Sequence, residues 1–390
     1  MNARDAVIGS RDVFDTDVLI VGAGPTGLTL SVALGLRGVR AMVIDRLGAG
    51  ANTSRAAVVH ARTLEVLEKL DVARRLVPQG IQSQRFTIRD RDRVLAPIGF
   101  EQLPTQYPYA LMVSQAVTER VLSERLAETG ASVQRGRALV ALEQDAESAT
   151  VTLDDGSRLR ARFVVGADGM RSKVREIVQI PFRGASYDES FVLADVHLSG
   201  GVPSDEVILF FSPAGMVVVA PLPDGVHRIV ATVEDAPEHP DIAWVQALLD
   251  ARGPQRDRVS VHKVLWGSRF RVHHRIADCY RRGRVLLAGD AAHVHSPAGG
   301  QGMNAGILDA MALADVLERA LAGNVAALDQ YGAERRPVAQ EIVAMAHRLT
   351  RLATVRPALR PLRNVILSML MSLSPLRRRF AWQLSGLVYR

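Results

Sequence analysis

Apolar and polar positions along this chain fall into distinct textures. Residues 17–21 (DVLIV) form an uninterrupted apolar run that stops at Gly22. A short run without alternation marks a strand buried on both faces, as in a parallel sheet. Residues 25–37 then follow a helical period up to Gly38, and residues 40–44 (RAMVI) form a second short run. A βαβ unit is therefore predicted at the start. Residues 60–70 and 115–129 again carry apolar side chains at helical spacing, with Leu64, Leu67 and Leu70 in the first and Val117, Val121 and Leu126 in the second.

From residue 132 the period shortens to that of strands. Residues 151–153 and 159–165 flank an Asp155-Gly156 turn and predict a hairpin. Residues 207–211, 216–220 and 228–233 are strand-like runs separated by Pro- and Gly-containing turns, which predicts an antiparallel meander. Residues 284–288 (RVLLA) return to a buried strand, 303–322 read as a long helix, and the pattern is helical from Tyr331 onward. The economical reading is an α/β protein with one discontinuous nucleotide-binding domain (1–75, 108–180 and 281–350). Into it is inserted a mainly antiparallel substrate domain (76–107 and 181–280), and a basic helical tail (351–390) follows. Ligands favour the junction of two such domains.

Composition narrows the class. Apolar residues make up 48% and charged residues 23%, enough apolar surface to fold a core. Cys279 is the only cysteine, so no disulfide scaffold is expected. The N-terminal residues lack the apolar core of a signal peptide, and no uncharged apolar run reaches the span of a bilayer. These features point to a cytoplasmic protein. The net charge of +7 invites a nucleic-acid reading, but its distribution removes it. After Glu341 there are nine arginines and no acid, so the preceding residues carry a net −2. In that tail Leu362, Ile366, Met369, Leu370 and Leu373 share one helical stripe. Packing against the nucleotide-binding domain is the first reading of that stripe. Peripheral contact with anionic lipid is the second, and a dimer contact the third.

Three motifs carry chemistry. Gly22-Ala23-Gly24-Pro25-Thr26-Gly27 lies between a predicted strand and helix. Gly22 permits the tight turn, Gly24 bares the backbone to a pyrophosphate, and Gly27 allows close helix–strand packing. The helix N-terminus faces the anion with free N–H groups, and Asp45, at the end of the second strand, suits a ribose hydroxyl. This motif alone does not separate NAD from FAD. The second, residues 164–169 (VVGADG), runs from a strand into a turn at Asp168-Gly169, with Ser172 and Arg175 beyond. Taken alone it reads best as an ordinary Asp turn. The third runs from Gly289-Asp290 through His293 and His295 to Pro297, Gly299, Gly300, Gln301, Gly302, Met303 and Asn304. Its glycines bare N–H groups at a helix start, a geometry suited to a ring that gains negative charge. No His/Cys/carboxylate cluster has metal spacing.

Together the motifs resemble the para-hydroxybenzoate hydroxylase-like, FAD-dependent aromatic monooxygenases, from about residue 17 to 339. The segment GDAAHVHSPAGGQGMNAGILDA is most similar to the phenol and polyketide hydroxylase branch. Many of its members continue into a thioredoxin-like domain where this sequence has its basic tail. The resemblance implies a Rossmann-like FAD-binding domain of the glutathione-reductase type and non-covalent FAD. It also implies NADPH or NADH as co-substrate, O2, and a flavin C4a-hydroperoxide that hydroxylates a phenolic or polycyclic ring. By the same resemblance Gly22, Gly24, Pro25, Thr26, Gly27 and Asp45 face the ADP half, with Arg46 on adenine and Arg55 near the pyrophosphate. Gln115 resembles a flavin-contacting glutamine. Asp168 and Gly169 touch FAD and the nicotinamide nucleotide, and Gly289 and Asp290 hold the ribityl chain. Residues 297–304 would lie along the flavin ring. Catalysis is expected to be flavin-based, with His295 and Pro297 the only candidate contributors from the chain, and His293 reads as structural. Candidate substrate contacts are Phe210, Met216, Val218, Trp266 and Phe270, from the apolar sheet that could roof the cavity. A flavin reductase without oxygen transfer and a non-catalytic flavin-binding protein are the competing readings. Oligomeric state is left open by the sequence.

Overall fold

A computed structural model describes residues 14–50, 56–233 and 237–389, together with the side chains in this range other than those of 187–189, 270 and 271. The first apolar run becomes strand Thr16–Val21, and helix Pro25–Gly35 follows it with Pro25 in its first turn, where a missing N–H costs nothing. Strand Ala41–Asp45 completes the βαβ unit. Thr16–Val21 lies in the middle of an eight-stranded sheet, parallel to Ala41–Asp45 on one side and to Arg158–Gly166 on the other. Val285–Leu287 pairs in parallel with Arg158–Gly166, and the hairpin strand Ala149–Leu153 pairs with it antiparallel.

Register decides where the motifs end up. Val21 stands opposite Ile44 on one side and Gly166 on the other, and Gly166 opposite Leu287. The four strands therefore finish together. Gly22, Asp45, Asp168 and Gly289 emerge at one carboxyl edge, the place where open parallel sheets bind ligands.

A second eight-stranded sheet is antiparallel, except where Glu206–Ser212 runs parallel to Arg85–Asp90. Its two longest strands, Phe182–Ser199 and Ser260–Ala277, pair along most of their length with register shifts. One face of this sheet is covered by helix Ile242–Arg252, which buries Ile208, Phe210, Val217 and Val219. The other face carries Phe191, Phe211 and Met216 and packs with residues of the tail.

The tail folds back as helices Arg360–Ser372 and Ser374–Leu384. Arg363, Asn364 and Leu367 form the buried face of the first. Arg363 Nη2 and Asn364 Nδ2 both donate to the Phe211 carbonyl, at 3.1 and 3.0 Å. The expected inward stripe is instead turned outward: Leu362, Ile366, Met369, Leu370 and Leu373 are all exposed. The amide and guanidinium groups that meet the Phe211 carbonyl fix the rotation of the helix, against the apolar pattern. Elsewhere the tail does reach the parallel-sheet side, since Gln301 Nε2 donates to the Leu384 carbonyl at 2.9 Å and Arg62 N to that of Ser385 at 3.1 Å.

Candidate active site

The glycine-rich turn is shaped by close approach. Gly22 has φ +110°, and a Cβ there would overlap the Ala167 carbonyl on the neighbouring strand crossover. Gly24 is different, because nothing lies within 4 Å of where its Cβ would stand. Open space in front of Gly24, Pro25 and Thr26 belongs to a large cavity. Asp45 braces the turn: its Oδ2 accepts from Ala23 N at 2.7 Å and its Oδ1 from Leu47 N at 2.8 Å. Arg46 is exposed just beyond. Arg55 lies outside the described residues.

Asp168 closes the second edge. Its Oδ2 accepts from Lys173 N and Val174 N, at 2.7 and 3.1 Å, at the start of a short helix. Its Oδ1 is buried and has no partner. Burial pushes the Asp168 pKa up, against the pull of those N–H groups and Ser172. Gly169, with φ +80°, has nothing within 4 Å of its Cβ position and lines the cavity.

The third motif forms the cavity's remaining polar wall. Asp290 lines it, together with residues 294–300, Gly302 and Met303. Gly302 begins helix Gly302–Leu321, so the positive helix end faces this wall. The side chains of Gln301 and Asn304 do not line the cavity. Both are buried and spent on backbone: Asn304 Oδ1 accepts from His60 N at 2.8 Å, and its Nδ2 donates to the Val58 carbonyl at 3.0 Å. They hold the loop's shape. Gln115 lines the cavity and donates to Glu119 Oε1 at 2.8 Å.

Behind the loop sits a buried ion cluster. Asp309 is bonded to His293 Nε2 at 2.6 Å and to Arg335 Nε at 2.8 Å, and it accepts from Gly289 N at 3.2 Å. Burial alone would raise the Asp309 pKa, but His293 and Arg335 overrule it and hold the carboxyl below its usual range. His293 is thus consumed by structure. His295 is not: Ser296 O lies 2.7 Å from Nδ1, so Nδ1–H donates and Nε2 is left as an acceptor. That Nε2 is buried without a partner, and the residue lines the cavity. Burial pushes the His295 pKa down to about 4, which keeps the ring neutral.

The cavity measures about 570 Å³ and runs from these motifs to the inner face of the antiparallel sheet. Met216 and Val218 line it; Phe210 and Trp266 do not. Phe210 points to the opposite face of the sheet, beneath helix Ile242–Arg252, and it is Leu209 and Phe211 that face the cavity. Trp266 is half-buried across from Asp195, beside a register shift in its strand. The Phe270 side chain lies outside the described residues. Sequence reasoning missed three contributors. Arg228, 2% exposed, makes a two-pronged ion pair with Asp195 at 2.7 Å and donates to the Ala56 carbonyl at 3.0 Å. A lone arginine in an apolar strand was its only signal. His60 bonds the Gly299 carbonyl at 2.9 Å. Finally, Leu352, Leu367, Met371, Phe380 and Leu384 make the tail a wall of the cavity.

An FAD fits these residues. Unfilled space at Gly24, Gly169 and Gly302 lets a ligand approach the backbone closely, and Asp168, next to Gly169, presents an orphaned buried oxygen. Residues 15–346 match a family model described as an FAD binding domain. The chain belongs to this family. The family member is 39% identical to 6-methylpretetramide 4-monooxygenase from Streptomyces rimosus, over 93% of this chain and 67% of that protein. It is 36% identical to a rifampicin monooxygenase from Streptomyces venezuelae, over 90% and 74%. Its fold superposes on an anhydrotetracycline hydroxylase from Streptomyces rimosus with a TM-score of 0.80, at 35% identity, covering 95% of this chain and 76% of that one. This FAD-dependent aromatic monooxygenase therefore takes FAD as cofactor and NAD(P)H as co-substrate. Among its described residues no helix is long and apolar enough to cross a membrane, and no cluster suits a metal ion.

Proposed function

We propose that the cavity joins a flavin ring, set along residues 297–303, to a phenolic polycyclic substrate held between the antiparallel sheet and the tail. The observation that carries this reading is the cavity's polarity. Helix starts and bare glycines from three motifs gather at one side, and Phe86, Phe191, Phe211, Val218, Leu367 and Phe380 gather at the other. Three relatives are named for polycyclic substrates: 6-methylpretetramide, rifampicin and anhydrotetracycline. Bound FAD supplies electron transfer from NAD(P)H and the activation of O2 that puts one oxygen atom on the ring.

The residues supply binding, orientation and a proton acceptor. Gly24, Pro25 and Thr26, at the first helix start, would receive the pyrophosphate, with Gly22 and Gly27 giving the turn its close packing. Asp45, Asp168 and Asp290 would hold the sugar and ribityl hydroxyls of FAD. The start of helix Gly302–Leu321 would stabilise negative charge on the bound flavin. The aromatic walls exclude water, which protects oxygen transfer from loss as hydrogen peroxide. His295, neutral and with Nε2 free, accepts the hydrogen bond of a substrate phenol and raises the electron density of its ring. A screen of phenols for accelerated NAD(P)H oxidation tests this reading. Polycyclic phenols should stimulate oxidation more strongly than single-ring phenols. Oxidation indifferent to every phenol would instead support a reductase.

A further inference from the structure

The tail helix Arg360–Ser372 has two faces of opposite character. Arg363, Asn364 and Leu367 are buried against the antiparallel sheet, and Met371 turns to the cavity. On the outer side stand Leu362 at 56% exposure, Val365 and Ile366 at 48%, Met369 at 68%, Leu370 at 47% and Leu373 at 54%. At 3.6 residues per turn these six lie within an arc of about 140°. Leu359, 51% exposed, extends the same patch one turn earlier. Six adjacent large apolar side chains in water are a liability for an isolated molecule and mark a contact surface. The helix cannot roll to hide them, because Arg363 and Asn364 are tied to the Phe211 carbonyl and Asn364 Nδ2 also donates to Asp90 at 2.8 Å.

Charge identifies the occupant. The chain has no acidic residue after Glu341; exposed Arg356 precedes this helix, and exposed Arg378 and Arg379 lie on the next one, Ser374–Leu384. A second copy of the same face would set arginines against arginines. An anionic bilayer meets both demands at once, with headgroups for the arginines and acyl chains for the stripe. No described helix can cross a bilayer, so the contact lies in the plane of the interface.

We propose that helix Arg360–Ser372 docks this enzyme peripherally on an anionic lipid surface through its outward apolar stripe. Its inner face lines the cavity, so docking sets one cavity wall against the membrane.

The test uses the full-length FAD-loaded protein and sedimentation with vesicles. Phosphatidylcholine vesicles containing one quarter phosphatidylglycerol should pellet the enzyme, pure phosphatidylcholine vesicles should not, and salt on the order of 0.5 M should release it. The double variant Ile366→Ser/Met369→Ser removes exposed groups outside the cavity, so it should keep its flavin content while binding falls about tenfold. Arg378→Glu/Arg379→Glu should weaken binding to the anionic vesicles in the same direction. Wild-type enzyme that stays in the supernatant with anionic vesicles would overturn the proposal. So would a double variant that pellets as well as wild type. A concentration-dependent dimer in sedimentation velocity, abolished by the double variant, would assign the stripe to a second copy and overturn it too.

Discussion

At the scale of single residues the site rests on close approach and on buried polar groups. Gly22 was legible in the sequence because its role follows from a strand–turn–helix spacing that few sequences satisfy by chance. Gly22→Ala forces a side chain into φ +110° and onto the Ala167 carbonyl. Purified G22A should carry far less FAD than wild type, measured as flavin absorbance per protein, and full flavin content would contradict the packing. His60 was not legible, since a histidine before a helix carries no marker of the loop it will touch. Its pKa is pushed down to about 4 by burial, from an ordinary 6.5, and His295 behaves alike. Between these values the unfolded chain binds more protons than the folded one, so this stabilisation is complete above pH 6.5 and is lost as pH falls towards 4. For buried His60 the full effect is about 3 kcal/mol. The urea midpoint should therefore be lower at about pH 5 than at about pH 7.5. A flat or rising midpoint on acidification would contradict the burial of these rings.

At the scale of elements the strands of the parallel sheet were readable and the faces of the antiparallel sheet were not. Residues 17–21 and 284–288 are apolar throughout and end in glycine motifs, so both their type and their exit point follow from pattern. Residues 207–211 (VILFF) are apolar throughout as well, because helix Ile242–Arg252 covers one face and the cavity the other. Without polar alternation nothing in the sequence says which phenylalanine points to the cavity. Phe210→Ala should cost about 3–5 kcal/mol of stability with little effect on the KM for substrate. Phe211→Ala should raise that KM and weaken the coupling of NAD(P)H oxidation to product. The reverse assignment of these two effects would show the faces exchanged. The tail misled for a related reason. Its apolar stripe reads as a core face, but Arg363 and Asn364 find carbonyl and carboxylate partners that turn it outward.

At the scale of the whole molecule two sheets with different chemistry meet over one cavity. The parallel sheet gathers helix starts, bare glycines and carboxylates at a single edge, and the antiparallel sheet and tail add apolar and aromatic walls. The mixed α/β character was visible from the apolar pattern, and the flavin-dependent class from the family resemblance that the three motifs carry together. Contacts that close the cavity from far along the chain, such as Phe380 and Leu384, depend on tertiary packing and have no local signature. The central claim is that this cavity brings O2-derived oxygen onto an aromatic ring. Incubating the enzyme with FAD, NAD(P)H, a stimulating polycyclic phenol and isotopically labelled O2 tests it most directly. One labelled oxygen atom per product molecule, seen by mass spectrometry and reduced in Phe211→Ala, is the predicted result. Unlabelled phenol recovered beside stoichiometric labelled hydrogen peroxide would contradict it.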